Sequence, residues 1–466
     1  MSLVTRTLPA PGRRLRGVES ASSPPPAVDR FRELLRIPTV SRADEALTDW
    51  EPFGRFRDAL ERLYPHTHRV LEREVVAGHS LLYRWAGEDR AGEPLVLMAH
   101  LDVVPVIPEE WDTEPFGAEI VGEGEDAAVH ARGAIDDKGS LVAILEAVEQ
   151  LAADGFRPRH DVYLAFGHNE ETAGDGAQQI VALLEARGVR PGLVLDEGGA
   201  VVQGAVPGVS APTAMIGIAE RGVMTVHLTA RELGGHASTP PAEPATARLA
   251  RAVVRLHRHP FPTRLAAPVR AMFEAVAPHA RGPLAAVYRR IGLTGPLLAR
   301  VFPRFGPEMN ALVRTTAVVT ELSGAPGENV LATAARASVN VRLLTGDSVA
   351  GAEERIRRVI ADPKVEVEVR HASEASPVSP WRGPAWDRLA AAMSASLGAD
   401  VIPTPYVQLG ASDSRWFTRI SGHVYRFTPF TLTRAERDAL HSHNERIRVQ
   451  VWLRGIDFYR ELVRAA

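Results

Sequence analysis

Three wholly apolar runs, at residues 95–99, 162–166 and 193–195, each end in residues able to ligate a metal, and this coincidence restricts the fold more than any other feature. Short runs without polar alternation mark strands buried on both faces of a parallel sheet. The first delivers His100 and Asp102, the second Glu170 and Glu171, and the third Asp196 and Glu197. Between the first two, Leu141, Val142, Ile144, Leu145, Val148 and Leu151 recur at helical spacing, so the segment reads as strand, helix, strand with a right-handed crossover. Open α/β sheets bind ligands outside the carboxyl ends of their strands, which is where these residues fall.

From residue 214 the pattern changes. Met224, Val226, Leu228 and Ala230 alternate with polar neighbours, as do Ala337, Val339, Val341 and Leu343, and residues 365–369 read VEVEV. With helical segments at 243–258 and 350–361, the order is strand, helix, strand, strand, helix, strand, the ferredoxin-like pattern. The expected architecture is an α/β catalytic domain at 28–213 and 373–466, with a mostly parallel sheet. A smaller α+β lid or dimerisation domain at 214–372 interrupts it, and the lid holds a helical insertion at 262–312. Residues 1–27 read as a disordered leader.

Composition narrows the function. The 54 Lys+Arg against 57 Asp+Glu leave a net charge of −3 with no long block of either sign, so neither nucleic acid nor a membrane is an expected partner. No stretch approaches a membrane span, and the leader lacks the apolar core of a secretory signal. A cytoplasmic protein is expected, the Arg- and Ser-rich leader leaving an organelle transit peptide as the alternative. Cysteine is absent, so any metal must be held by His, Asp and Glu.

Taken singly, a histidine at a strand end or the acid pair Asp136–Asp137 of GAIDDKG serves a structural role more often than a chemical one. Together they do not. Several carboxylates on one sheet edge repel one another and rise in pKa unless cations neutralise them. Nitrogen and oxygen donors without sulfur suit zinc and admit manganese or cobalt. This edge offers more than the three protein ligands one catalytic zinc needs, so two metals are favoured. The adjacent Glu170 and Glu171 can diverge, one to the metals and one to the attacking water.

In order along the chain, AHLDVVP, ARGAIDDKG, GHNEETAG, LDEGG, GGHASTPP, GENVLATAARASVNVRLLTGD, GASDSR and HSHNE resemble the di-zinc metallopeptidase family of carboxypeptidase S, aminoacylase, acetylornithine deacetylase and succinyl-diaminopimelate desuccinylase. DVVPV and LVRTT look closest to the carboxypeptidase S and N-acyl amino acid hydrolase branch. The resemblance implies a zinc-exopeptidase-like fold and two Zn2+ per subunit. Asp136 bridges them, His100 and Asp196 complete one site, and Glu171 and His441 the other. Glu170 falls on the general base, and Asp102 orients His100. His236 matches the family oxyanion donor, commonly supplied from the other subunit of a homodimer, and Asn329, Arg342, Gly410 and Ser412 match positions that bind the substrate carboxylate. His443 is assigned to the ligand set only if the register of HSHNE slips. The peptide after the bridging Asp is often cis in this family. Asn169 stands where relatives usually carry Asp.

The expected activity is cleavage of an amide bond to release an amino acid with a free carboxylate, by a carboxypeptidase on short peptides as the first reading and an N-acyl amino acid hydrolase as the alternative. A relative that kept the fold as a binding or scaffold protein is the alternative from a different class.

Overall fold

The computed structural model describes residues 25–466; the leader up to residue 24 lies outside them. The last residues assigned to the leader, Pro26 and Ala27, already begin a helix, Pro26–Leu35. The apolar runs become the strands Leu95–His100, Val162–Gly167 and Leu193–Val202, which lie side by side with Leu95–His100 in the middle, paired in parallel to both neighbours. They belong to an eight-stranded mixed sheet, in which Val424–Thr431 continues the parallel run beside Leu193–Val202.

The crossover helix Lys138–Ala153 is buried nearly all round, beyond the single stripe its periodicity implies. The final helix Val449–Arg464 packs against it, with Trp452 Nε1 donating to the Gly139 carbonyl at 3.0 Å and Phe31 stacking on Trp452 at 4.3 Å. That helix starts at Val449, directly after an edge strand, Arg446–Arg448.

One boundary differs from the sequence reading. The strand Thr213–Glu220 pairs in parallel with Ile402–Gln408 inside the large sheet, so the chain leaves the catalytic domain after Glu220 and not at 214. The lid strands Gly222–Arg231, Thr316–Ser323, Ala334–Leu343 and Val365–Ser373 form one antiparallel sheet in the ferredoxin-like order. Its core, including Met224, Val226, Leu228 and Ala230, is closed by the helices Ala245–Arg258 and Val349–Ile360.

The insertion is not part of that core. Its helices Ala267–Val276, Gly282–Arg289, Ile291–Val301 and Pro307–Val313 share a separate cluster with Val206, Val209, Ile402 and Val407 of the catalytic domain. The apolar flank of the edge strand Ile402–Gln408 draws them there, since burying it is favourable at about 25 cal/mol per Å². Among the described residues no helix is long and apolar enough to cross a membrane.

Candidate metal centre

Adjacent parallel strands deliver the site. Leu95–His100 ends in His100, the turn after Val162–Gly167 opens with Glu170 and Glu171, and Asp196 and Glu197 lie within Leu193–Val202. Asp136 precedes the crossover helix, and His441, in the left-handed region at φ +56°, comes from the turn before Arg446–Arg448. The Asp136–Asp137 peptide is cis.

Asp136 sits between the two histidines. His100 Nε2 lies 3.0 Å from its Oδ1, and His441 Nε2 lies 2.9 Å from its Oδ2 and 3.0 Å from Glu171 Oε2. Each carboxylate oxygen of Asp136 thus faces a different imidazole, the disposition a bridging ligand needs. Glu170 and Glu197 also gather at His100, with Glu197 Oε1 3.8 Å from Nε2.

Asp196 is buried in the same strand. Its Oδ2 accepts the backbone N–H of Ser414 at 2.8 Å, and Glu197 joins the cluster around His100.

Asp102 is fully buried and organises three groups at once. It lies 3.3 Å from His100 Nδ1 and accepts the backbone N–H groups of Glu170 and Glu171 at 3.2 and 3.1 Å, while Ser41 donates to it at 2.6 Å. Asp102 therefore fixes the imidazole, whose Nδ1 lies 3.0 Å from its backbone carbonyl, and through its carboxylate the turn that presents the two glutamates.

The electrostatics call for cations. Burial and the surrounding carboxylates push Glu170 and Glu197 well above the usual carboxylate range, and burial raises Glu171 and Asp137 as well. Asp413 is pushed up to about 8 by burial and the charge of Asp196. Hydrogen bonds to Asp136 and Glu171 push His441 up to about 10. Burial opposes the charge of His100, yet its bonds to Asp102 and Asp136 hold it well above the ordinary value. Among the buried side-chain atoms, Asp137 Oδ1, Glu171 Oε1 and Asp413 Oδ2 have no hydrogen-bond partner. Orphan carboxylate oxygens around a His–Asp–His array, with no sulfur in the chain, fit a site for metal ions.

Residues 96–465 match peptidase family M20/M25/M40. The chain belongs to this family. Its metal centre is thus that of a metallohydrolase of the peptidase and amidohydrolase type. An M20 relative, the N-fatty-acyl-amino acid synthase/hydrolase PM20D1 of Xenopus tropicalis, is 34% identical over 454 residues, covering 94% of this chain and 85% of the relative. The probable carboxypeptidase S-like 2 of Dictyostelium discoideum is 31% identical over 459 residues, covering 94% and 87%. The M20 metallo-carboxypeptidase Sso-CP2 of Sulfolobus solfataricus shares the fold with a TM-score of 0.68 at 17% identity, covering 94% of this chain and 98% of that one.

The M20 residues of the lid stand apart from this cluster. His236 is exposed and its Nδ1 is engaged within its own turn, 2.7 Å from Ser238 Oγ. Asn329 is exposed beside it, its carbonyl accepting the Ala237 N–H. Arg342 is half-buried, its Nε 3.2 Å from Asn340 Oδ1, and burial together with the charge of Arg415 lowers its pKa. Two guanidiniums whose charges are felt by one another suit a carboxylate, and Arg415 of GASDSR was not singled out from the sequence. Gly410 opens onto empty space, whereas Ser412 is buried with its N–H on Glu220 Oε2 at 2.8 Å. His443 lies 3.9 Å from Glu110, away from the metal centre. Asn169 is buried and accepts the Gly176 N–H at 3.0 Å, a purely local contact.

Glu445 was missed altogether. Fully buried, it accepts from Arg132 Nη1 at 2.7 Å and from the backbone N–H groups of Gly133, Ile135 and Asp136 at 3.0, 2.8 and 3.0 Å. Arg132 Nη2 in turn holds the Ser442 carbonyl at 2.6 Å. One ion pair thereby ties the Asp136 loop to the His441 turn. Its place at the end of HSHNE was the available signal. Glu445→Ala strands the Arg132 charge, so stability should fall by about 3–5 kcal/mol in denaturant unfolding, with loss of metal affinity. A change below about 1 kcal/mol would refute the clamp.

Proposed function

We propose that this chain holds two zinc ions between His100, Asp136, Glu171, His441 and the Asp196–Glu197 pair, and hydrolyses an amide bond to release an amino acid with a free carboxylate. The observation that carries the reading is Asp136, with one oxygen on each histidine and Glu170 beside them. Bound zinc supplies a lowered pKa for water, from about 15.7 to about 7, and polarisation of the scissile carbonyl. Glu170 accepts the proton of the attacking water and passes it to the leaving nitrogen, beside His100 where it stands. Arg342 and Arg415 hold the substrate carboxylate. His236, exposed on the lid, donates to the developing oxyanion from a second copy of the chain, and this supports a homodimer through the lid.

A carboxypeptidase on short peptides and an N-acyl amino acid hydrolase share these steps. A cavity of about 340 Å³ favours the second. Asp136, Glu197, Glu308 and Arg437 line it, and Val206, Met272, Met309, Leu312, Tyr406 and Leu409 supply an apolar wall suited to a long acyl chain. The Xenopus relative named for N-fatty-acyl-amino acids points the same way. Across N-acetyl to long-chain N-acyl forms of one amino acid, kcat/KM should rise up to roughly fourfold per methylene, from about 0.8 kcal/mol each, until the cavity is full. Met309→Trp should shorten the preferred chain. If dipeptides turn over faster than every N-acyl substrate, the carboxypeptidase reading replaces this one.

A further inference from the structure

The outward face of the insertion is unlike the rest of the surface. Helix Ile291–Val301 buries Ile291, Gly295 and Ala299 against the molecule, and at the opposite pole it presents Leu293, Pro296, Leu297 and Arg300. These four positions, at i, i+3, i+4 and i+7, share one helix face. Leu293 is 83% exposed and Leu297 64%, and Phe305, just beyond the helix, is 72% exposed. Single exposed apolar side chains are ordinary, but three large ones within 13 residues, where a surface helix normally turns charges outward, mark a contact face.

Between the exposed acids Glu274 and Glu308 the chain carries charge of one sign. Residues 275–307 contain Arg281, Arg289, Arg290, Arg300 and Arg304, all exposed, and no Asp or Glu. A cationic patch with leucine and phenylalanine at its crest matches an interfacial helix, whose apolar side chains enter the acyl boundary while arginines pair with anionic headgroups. We infer that the helical insertion docks this protein on the surface of an anionic lipid bilayer through Leu293, Leu297 and Phe305, with the five arginines binding the headgroups. The same insertion supplies Met272, Met309 and Leu312 to the apolar cavity beside the metal centre, so docking brings that cavity to the layer in which amphiphiles dissolve.

Co-sedimentation of the full chain with vesicles tests this. Binding is expected to phosphatidylcholine–phosphatidylserine vesicles, to fall as salt rises, and to be absent with phosphatidylcholine alone. Each Arg→Gln change among Arg289, Arg290, Arg300 and Arg304 should weaken partitioning roughly fivefold. Combined Leu293→Ser, Leu297→Ser and Phe305→Ser should weaken it at least tenfold. These variants should leave turnover of a short, water-soluble N-acetyl amino acid unchanged, a readout that reports separately on the proposed hydrolysis. The inference is overturned if the chain ignores phosphatidylserine, or binds both vesicle types equally. It is equally overturned if light scattering shows a dimer that the triple serine variant converts to monomer, because the face would then belong to a second copy.

Discussion

Replacing Glu170 by glutamine is expected to lower kcat roughly 10²- to 10⁴-fold while leaving the metal content unchanged. The amide keeps the shape and the backbone N–H that Asp102 holds, yet it can no longer take a proton from water. Glu171 is the glutamate that contacts His441, at 3.0 Å, so its substitution should instead release metal. Steady-state kinetics paired with metal analysis separates the two. Near-full turnover by Glu170→Gln would show that the proton acceptor lies elsewhere.

Chelation should abolish turnover and lower Tm, and the loss of Tm should grow as pH rises. Glu170, Glu171, Glu197, Asp137 and Asp413 have raised carboxyl pKa values, with Asp413 near 8. An acid raised in the folded state binds more protons there than in the unfolded chain, so its stabilisation is complete below about pH 4 and disappears as pH climbs through the folded value. His100 and His441 are raised too and act with the same sign, from about 6.5 in the unfolded chain to about 10 for His441. Asp136 is held low by its bonds to both histidines despite its burial, and its contribution is already complete above about pH 4. The metal-free protein should therefore lose stability from about pH 5 to about pH 9, at roughly 2–4 °C per kcal/mol, while bound metal flattens the curve. A chelated Tm that is flat or rising across that range would contradict the carboxylate array.

What could be read in advance follows the local character of each signal. Strand runs ending in His100, Glu170–Glu171 and Asp196–Glu197 are legible because a buried parallel strand has to be apolar throughout, and its first polar residues then mark its end. The Ser414 N–H that Asp196 accepts was not legible, being a contact across 218 residues of chain. Glu445 reaches Asp136 across 309 residues, and Arg415 comes near Arg342 only when the lid and the catalytic sheet meet. The cationic, apolar face of the insertion was hidden by averaging, since a net charge of −3 conceals 33 residues holding five arginines and no acid.

The sequence by itself determined the family, the parallel α/β core, the ferredoxin-like order of the lid and the ligand-type residues at the strand ends. Those follow from periodicity and from motifs a few residues long, where chain connectivity sets the geometry. Tertiary structure alone decided that Asp136 stands between His100 and His441, that Asp196 accepts the Ser414 N–H, and that the insertion packs on the edge strand Ile402–Gln408. Each of these depends on side chains far apart in sequence, brought together by the strand order and by the burial of apolar surface that no local pattern encodes.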